Sequence, residues 1–344
     1  MTNTYVPETY LFTGAGNNFV VFDGRSADMA PFRQRARISE LCAKHHTDGL
    51  MILTEATGYD FSMEFYNPDG SGGMMCGNGG RCIVAFADYL GLKPASPDCT
   101  WHFLAPDGPH EATILLGKPS EGTPLHSATS CEAGKVPHSN GEGLILGPGP
   151  SPDKCHPGPS AADSVGKVPP LKRDLHQKSG EPSPIEPVPS PNKQGTFPKW
   201  TVRLKMIDVQ GVTPVLNGYF LNTGTRHYVE FRDNVDAIDM EQEAKPIRWD
   251  KAFQPEGANV NFVQQTPDGL KVRTFEKGVE GETLACGTGL TASAIAAYVK
   301  GIPGQVGDDG LASYRLQCRR GDWLQVEFKP DLTDVYLTGP AEML

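Results

Sequence analysis

MMCGNGGRC (residues 74–82) stands directly before an apolar run, IVAFADYLG, and LACGTG (residues 284–289) stands before a second one, LTASAIAAYVKG. The two Cys-Gly-x-Gly layouts align without a gap at an offset of 210 residues, from Cys76 to Cys286. Two further matches follow the same order: Asn18–Phe22 with His227–Phe231 at an offset of 209, and Gly49–Leu53 with Asn259–Val263 at 210. Matches in one order at nearly one offset predict two similar domains.

The two apolar runs predict two central helices. Arg81–Leu90 and Thr291–Lys300 are apolar on nearly all sides, as expected of a helix that is buried all round. The segments around them are short, β-branched or aromatic and bounded by turn residues, which is typical of strands. The strand candidates are YLFTG, NNFVVFDG, GLMILT, DFSMEFYN, KWTVRLKMIDV, GYFLNTG, HYVEFR, NVNFVQQ, LKVRTFE and WLQVEFKP.

These patterns favour a mixed α/β (α+β) fold. The chain lacks the alternating strand–helix rhythm of a doubly wound parallel sheet. We predict two pseudo-symmetric domains, each with mainly antiparallel strands wrapped around a central apolar helix, and an active site in the cleft between them.

One segment differs from the rest of the chain. Lys118–Thr196 holds 15 of the 30 prolines and no Phe, Trp or Tyr, so it cannot bury enough apolar surface to offset its chain entropy. We predict a disordered insertion over residues 118–196, with a ligand for a Pro-binding partner as the alternative. The N-terminal half, carrying Cys76, is then predicted over residues 1–116 and 335–344, and the C-terminal half, carrying Cys286, over 197–334.

The composition limits the kinds of partner and site that the protein is expected to have. A net charge of −10 argues against nucleic acid and anionic membrane surfaces. No apolar stretch approaches the ~20 residues of a membrane helix, and the first twenty residues do not resemble a secretory signal. Eight cysteines in 344 residues are too few for a disulfide scaffold and show no zinc-ligand spacing. We therefore expect a cytoplasmic protein that acts on a small molecule.

The paired motifs point to proton transfer. A cysteine at a helix N-terminus faces unpaired backbone N–H groups and the positive end of the helix dipole, which we expect to lower the thiol pKa from its usual ~8.5. The same N–H groups bind a carboxylate. With one sulfur on each side of a carbon, one thiolate could remove a proton and the opposite thiol could deliver one, which inverts the stereocentre. This chemistry implies no metal and no cofactor.

Several segments resemble the diaminopimelate epimerase family. MMCGNGGRC, preceded by FYNPDGSGG, and EGETLACGTG are similar to the two active-cysteine signatures of that family. The similarity extends to FTGAGNNFVVFDGR, FQPEGANVNFVQ and VRTFEKGVEGET, and so to nearly the whole chain outside residues 118–196. The resemblance implies a cofactor-independent enzyme, usually a homodimer, that interconverts LL- and meso-diaminopimelate in bacterial lysine and peptidoglycan synthesis. It also implies that the last strand, in VYLTGPAEML, packs with the first domain.

The resemblance also implies roles for particular residues. It assigns the two acid/base positions to Cys76 and Cys286, with His227 and Glu276 supporting the proton transfer. The substrate-binding residues that it implies are Asn17, Asn67, Gly77, Asn78, Asn259, Glu276, Lys277, Gly287 and Thr288. Lys277 stands where the family typically has an Arg that pairs with the distal carboxylate of the substrate. Thr225 and Arg226 stand where many members have Asn-Pro.

Other functions remain open from the sequence. The same fold and thiols could racemise or epimerise another amino acid, such as proline or hydroxyproline, although proline racemases usually carry a His where this chain has Asn78. Isomerase-like proteins of phenazine biosynthesis share the fold without the thiol pair, and both cysteines are present here. A non-catalytic scaffold that docks partners through the Pro-rich segment is the remaining class.

Overall fold

The structure is a computed structural model that describes residues 7–73, 75–118, 199–307 and 309–344. The first elements in these ranges are β1 (Tyr10–Gly14), β2 (Asn17–Asp23), α1 (Arg35–His45), β3 (Gly49–Thr54), β4 (Phe61–Tyr66), α2 (Gly77–Tyr89), β5 (Thr100–Ala105), β6 (Gly108–Lys118) and β7 (Lys199–Lys205). They are followed by β8 (Thr213–Val215), β9 (Gly218–Asn222), β10 (Arg226–Phe231), α3 (Met240–Arg248), β11 (Asn259–Thr266), β12 (Gly269–Glu276), β13 (Gly281–Thr283), α4 (Gly287–Lys300), β14 (Gln305–Val306), β15 (Ala312–Gln317), β16 (Trp323–Phe328) and β17 (Tyr336–Met343).

Eight strands close into a barrel around α2. The antiparallel pairs β1–β2, β3–β4 and β5–β6 alternate with the parallel pairs β2–β3 and β4–β5. β7 then pairs antiparallel with β6 and with β17, and β17 pairs with β1, which closes the ring. α2 fills the interior, where Phe86 packs edge-on against Phe12 with ring centroids 5.6 Å apart.

The strands around α4 repeat this pairing order. β9–β10, β11–β12 and β15–β16 are antiparallel, whereas β10–β11 and β12–β15 are parallel. β16 continues antiparallel onto β17. Every residue of α4 from Gly289 to Ala297 is buried, so this helix also occupies the centre of its strands. The strand order confirms the predicted repeat and the mixed α/β fold.

The last strand joins the two hydrophobic cores. In β17, Leu337 packs in the core around α4, whereas Ala341 and Met343 pack in the core around α2. β7 lies beside it, and its Trp200 packs on Phe12 with ring centroids 5.8 Å apart. β7 thus completes the barrel around Cys76, although the sequence places its residues in the segment 197–334. The domain boundaries themselves stay a prediction.

The ten predicted strand segments all contain strands. The sequence did not predict β5, β6, β15, α1, α3 or the short strands β8, β13 and β14. β5 has the alternation of a half-buried strand, with Trp101, Phe103 and Ala105 buried and the residues between them only partly so. α3 carries Pro246 in its interior, which makes a helix hard to recognise from its sequence.

Both central helices begin four residues before their predicted starts, at Gly77 and Gly287 instead of Arg81 and Thr291. Glycine disfavours helix by about 1 kcal/mol relative to alanine, so helix propensity alone does not predict that the glycine-rich first turns of α2 and α4 are helical. Packing explains the glycines: a Cβ on Gly289 would lie within van der Waals overlap of the Asn261 side chain.

The predicted Pro-rich insertion, residues 118–196, lies outside the described residues apart from Lys118, the last residue of β6. Lys118 is the register partner of Lys199, the first residue of β7. Among the helices of the described ranges, none is both long enough and apolar enough to cross a membrane.

Candidate active site

The N-termini of α2 and α4 meet end to end at two glycines. A Cβ built on Gly77 would lie 3.8 Å from the Cα of Gly287, and one built on Gly287 would lie 3.5 Å from the Cα of Gly77. Leu337 of β17 contacts both positions, because its Cδ2 would lie 3.2 Å and 3.0 Å from those two Cβ atoms. Cys76 and Cys286 are the residues that cap these helices. The shared strand therefore brings the two predicted acid/base residues to one place.

Cys76 caps α2 with its sulfur. The Gly79 N–H donates a hydrogen bond to Cys76 Sγ at 3.2 Å, so the thiol faces the positive end of the helix. The side chain is partly exposed to the cleft described below.

Cys286 caps α4 differently. It is buried, and its Sγ lies 3.4 Å from Thr288 Oγ1. Its thiol also shares a hydrogen bond with the Glu276 carboxylate. Glu276 ends β12 and accepts a second hydrogen bond, from Thr283 Oγ1 at 2.5 Å. The sulfur thus lies between a hydroxyl and a carboxylate.

The expected lowering of the thiol pKa values is wrong for this structure. Burial raises the pKa of both thiols and is the largest effect at each; at Cys286 it raises the pKa well above the usual value. The Glu276 carboxylate raises both further, while hydrogen bonds from the helix N-termini lower them by less. Arg81 lowers the pKa of Cys76. The charges therefore favour Cys76 over Cys286 as the thiolate.

Glu276 is itself in an unusual environment. Burial raises the pKa of this carboxyl, and the hydrogen bonds from Thr283 and Cys286 lower it by less. A half-buried carboxylate with a raised pKa, placed beside a thiol, is suited to proton exchange with that thiol.

His227 lies behind the site. It is fully buried, and its Nε2 lies 3.0 Å from Thr288 Oγ1 and 2.9 Å from Thr225 Oγ1. On the other side of the ring, Asn261 Nδ2 lies 3.0 Å from Nδ1. Burial lowers the pKa of His227 to about 3, so the ring is neutral at physiological pH. The Thr288 hydroxyl therefore lies between His227 and the Cys286 sulfur.

Asn78 connects the two helix ends. Arg81 Nη2 donates to Asn78 Oδ1 at 2.8 Å, and Asn78 Nδ2 donates to Asn17 Oδ1 at 2.5 Å and to the Ala285 carbonyl at 3.4 Å. Arg81 is fully buried and donates to the Gly77 carbonyl at 3.1 Å as well. This network ties the start of α2 to the residue just before Cys286.

A cleft of about 930 Å³ opens over these residues. Of the predicted site residues, those that line it are Asn17, Cys76, Gly77, Asn78, Asn259, Glu276, Lys277, Cys286, Gly287 and Thr288. The first N–H groups of a helix have no partner within the helix, so two such ends in one cleft form a site for a carboxylate. Both cysteines line the same cleft as these helix ends.

Two predicted residues lie elsewhere. His227 is behind the wall of the cleft, as described above. Asn67 is not among the cleft-lining residues of the described chain; its amide donates to Ser71 Oγ at 3.0 Å within its own turn. The role of Asn67 in binding stays a prediction.

Thr225 is the first of the two residues that stand where many members of the resembled family have Asn-Pro. Asn259 Nδ2 donates to Thr225 Oγ1 at 3.2 Å and to the Arg226 carbonyl at 3.1 Å, while the Lys277 N–H donates to Asn259 Oδ1 at 2.8 Å. The threonine hydroxyl is therefore part of the hydrogen-bond network at the cleft, and Asn259 holds the backbone before Lys277.

Arg81 and Asn261 were not predicted as site residues. Each had a signal in the sequence: Arg81 is a charge in an otherwise apolar helix, and Asn261 is a polar residue two positions after Asn259, on the same face of a strand. A polar side chain at a position that the pattern buries requires partners, and here those partners belong to the site.

Comparisons with known proteins show which family this chain is similar to. The model of the family described as diaminopimelate epimerase matches residues 9–105 and 219–344. A protein named diaminopimelate epimerase from Flavobacterium psychrophilum is 30% identical over 342 residues, with 97% of each chain covered. Another of that name from Aquifex aeolicus is 30% identical over 344 residues, covering 96% of this chain and 94% of the relative.

A solved structure shows a similar fold. A phenazine biosynthesis protein of the PhzF family from Bacillus anthracis matches with a TM-score of 0.55, covering 98% of this chain and 96% of the other. The sequences are 9% identical, so this likeness concerns the fold alone.

Proposed function

This chain belongs to the diaminopimelate epimerase family, a family of isomerases, and we propose that it interconverts LL- and meso-diaminopimelate by moving the α-proton between Cys76 and Cys286. The observation that carries the proposal is the meeting of the two cysteine-capped helix ends at Gly77 and Gly287, at one cleft. Two sulfurs there can approach one α-carbon from opposite sides.

Binding begins with the α-carboxylate. The free N–H groups at the starts of α2 and α4 hold it, and the buried Arg81–Asn78 network keeps α2 in position. The two helix dipoles also stabilise the negative charge that develops on the substrate when its α-proton leaves.

Proton transfer then uses the difference between the two thiols. Cys76, beside the Arg81 charge, is the thiolate that takes the α-proton from one face, and the C–H electron pair remains on the substrate as a carbanion. Cys286 delivers its proton to the opposite face and becomes a thiolate. For the reverse reaction the two thiols exchange roles. Glu276 accepts or returns the proton of Cys286 between turnovers.

The distal end of the substrate is recognised at the other side of the cleft. Lys277 lines the cleft with an exposed side chain, so its ammonium can pair with a distal carboxylate. Lysine offers a point charge where arginine offers a bidentate fork, so we expect weaker discrimination by geometry at this end.

The setting of this activity is part of the same proposal. We place it in the cytoplasm, in lysine and peptidoglycan precursor synthesis, in a homodimer that needs no cofactor and binds neither nucleic acid nor a membrane. The family match and the acidic net charge of −10 support these statements. Light scattering on the purified protein tests the dimer.

The deciding experiment is deuterium incorporation at the α-carbon of LL-diaminopimelate in heavy water. Wild-type protein should exchange the proton and form the meso isomer, and Cys76→Ala and Cys286→Ala should each abolish epimerisation. Turnover of proline or hydroxyproline without turnover of diaminopimelate would support the racemase alternative. Full epimerisation by either cysteine variant would overturn the two-thiol mechanism.

A further inference from the structure

Asn261 is held in one orientation. Its Nδ2 lies 2.9 Å from the carbonyl oxygen of Tyr228, which can only accept a hydrogen bond, so this atom is a donor. Its Oδ1 accepts from Thr274 Oγ1 at 3.0 Å. The side chain is fully buried in β11, below the start of α4. The second N–H of the amide therefore points at His227 Nδ1, 3.0 Å away.

This orientation determines the tautomer of His227. The ring is buried and neutral, and a neutral imidazole carries one proton. Because Nδ1 accepts from Asn261, the proton lies on Nε2. Nε2 then donates toward the two hydroxyls within reach, Thr225 Oγ1 at 2.9 Å and Thr288 Oγ1 at 3.0 Å.

The proton on Nε2 determines the directions in which the Thr225 and Thr288 hydroxyl groups can donate. Thr225 Oγ1 lies within reach of two donors, Asn259 Nδ2 and His227 Nε2, so its own proton is free to point at Thr288 Oγ1, 3.1 Å away. Neither threonine can donate to His227. When Thr225 is the donor to Thr288, the Thr288 proton is directed to Cys286 Sγ, 3.4 Å away.

We propose that Asn261 is a positioning residue: by holding His227 as the Nε2–H tautomer, it makes Thr288 a permanent hydrogen-bond donor to the Cys286 sulfur. The inference rests on the proposed function, and it adds a role for a residue that does not touch the substrate. A donor aimed at the sulfur stabilises the thiolate that forms when Cys286 gives up its proton. It opposes Glu276, which stabilises the protonated thiol.

The tautomer is tested directly by two-bond ¹H–¹⁵N NMR of the histidine rings, with His227 assigned by the signals lost in His227→Gln. Wild-type protein should show a protonated Nε2 and an unprotonated Nδ1. In Asn261→Asp the carboxylate can only accept, so the proton should move to Nδ1. A wild-type spectrum with the proton on Nδ1 of His227 would overturn the proposal whether or not Asn261→Asp folds.

The link to catalysis is tested by a double-variant cycle on the rate of α-proton exchange. Asn261→Asp and Thr288→Val should each slow the step in which Cys286 delivers its proton by about ten- to a hundred-fold, as expected for losing one hydrogen bond to a charged group. The double variant should be no slower than Thr288→Val alone, since both changes remove the same hydrogen bond. Losses that multiply would overturn the proposal.

Thr274→Val is the matched control. It removes the other hydrogen bond of Asn261 at an equally buried position, but the Tyr228 carbonyl still orients the amide. The ring signals and the exchange rate of this variant should stay close to those of wild type, and a shifted tautomer there would contradict the argument. If wild-type protein exchanges neither stereoisomer, the proposed function fails, and the spectrum still decides the tautomer.

Discussion

Gly77 and Gly287 lie close together, each the first residue of a buried central helix, and a Cβ on either one would be in tight contact with Leu337 Cδ2, at 3.2 Å and 3.0 Å. The contact explains why both cysteine motifs continue with glycine. It allows two helices to begin at the same place, although their N-termini carry partial charges of the same sign. Such an arrangement is unfavourable unless an anion lies close to both ends, which favours a carboxylate ligand in the cleft that both glycines line.

Gly287→Ala should lower turnover more than stability. The new Cβ would lie 3.0 Å from Leu337 Cδ2, so Leu337 or the start of α4 must shift by a few tenths of an ångström, and it would fill the space next to the Gly77 Cα, 3.5 Å away. Overpacking of this kind costs about 1–3 kcal/mol, whereas small misplacement of reacting groups lowers rates by up to about 10²-fold. Urea unfolding and epimerase kinetics measure the two effects.

Two further variants, a control and a rescue, test this prediction. Gly281→Ala is the control, because a Cβ there meets nothing within 4 Å. Combining Gly287→Ala with Leu337→Val should restore part of the lost activity, since the shorter side chain removes the closest contact. Wild-type kinetics in Gly287→Ala alone would show that the contact between the helix ends does not set the geometry of the site.

Glu276→Gln should make Cys286 more reactive and the enzyme less active. The carboxylate raises the pKa of Cys286 through its charge and its hydrogen bond, so the neutral amide lowers that pKa. Alkylation by iodoacetamide at pH 7 should speed up, because the thiolate fraction rises about tenfold for each unit by which the pKa falls, while the thiolate becomes only moderately less nucleophilic. Epimerisation should slow by about 10²–10⁴-fold, because the residue that exchanges protons with Cys286 is lost.

Peptide mass spectrometry distinguishes Cys286 from the other cysteines in this experiment. Glu241→Gln is the control, since Glu241 is exposed on α3 and pairs with Lys245 at 3.3 Å, away from the cleft. Slower alkylation of Cys286 in Glu276→Gln would show that the carboxylate does not hold the proton on the sulfur.

Much of the fold could be predicted because the chain repeats its own pattern. The two Cys-Gly-x-Gly helices and the matching strands require only hydrophobic pattern and spacing. The thiol pKa values could not be predicted from the sequence. They depend on how deeply Cys286 is buried and on the Glu276 carboxylate, which lies at the end of β12 and not in the Cys286 motif. The same holds for Asn261: its polarity at a buried strand position is visible in the sequence, but its partner His227 is identified only by the pairing of β10 with β11.

The free energy of unfolding should fall in mild acid through His227. Burial lowers the pKa of this histidine from 6.5 to about 3 in the folded protein, so between these values the unfolded state binds a proton that the folded state does not. Stability therefore decreases as the pH falls through that range, with a slope of up to about 1.4 kcal/mol per pH unit from this group.

Urea unfolding of wild type and His227→Gln at several pH values between 4 and 7 isolates this contribution. The variant is expected to be less stable at pH 7, because a buried hydrogen-bonded ring is replaced, and to lose less stability in acid. Parallel pH profiles for the two proteins would mean that His227 is not buried as a neutral ring.

Removing the Pro-rich segment should leave the enzyme intact. Lys118 and Lys199 are directly opposite each other at the ends of the antiparallel strands β6 and β7, so the sequence between them can be replaced by Asn-Gly, which favours a two-residue hairpin turn. The shortened protein should still fold, because the free energy of closing a loop depends only weakly on its length. Its epimerase rate should be unchanged, since the cleft is lined by residues of the described ranges on both sides of the replaced part. Loss of activity in a folded, shortened protein would mean that the segment takes part in the reaction, and loss of a bound partner with full activity would favour the docking role left open by its composition.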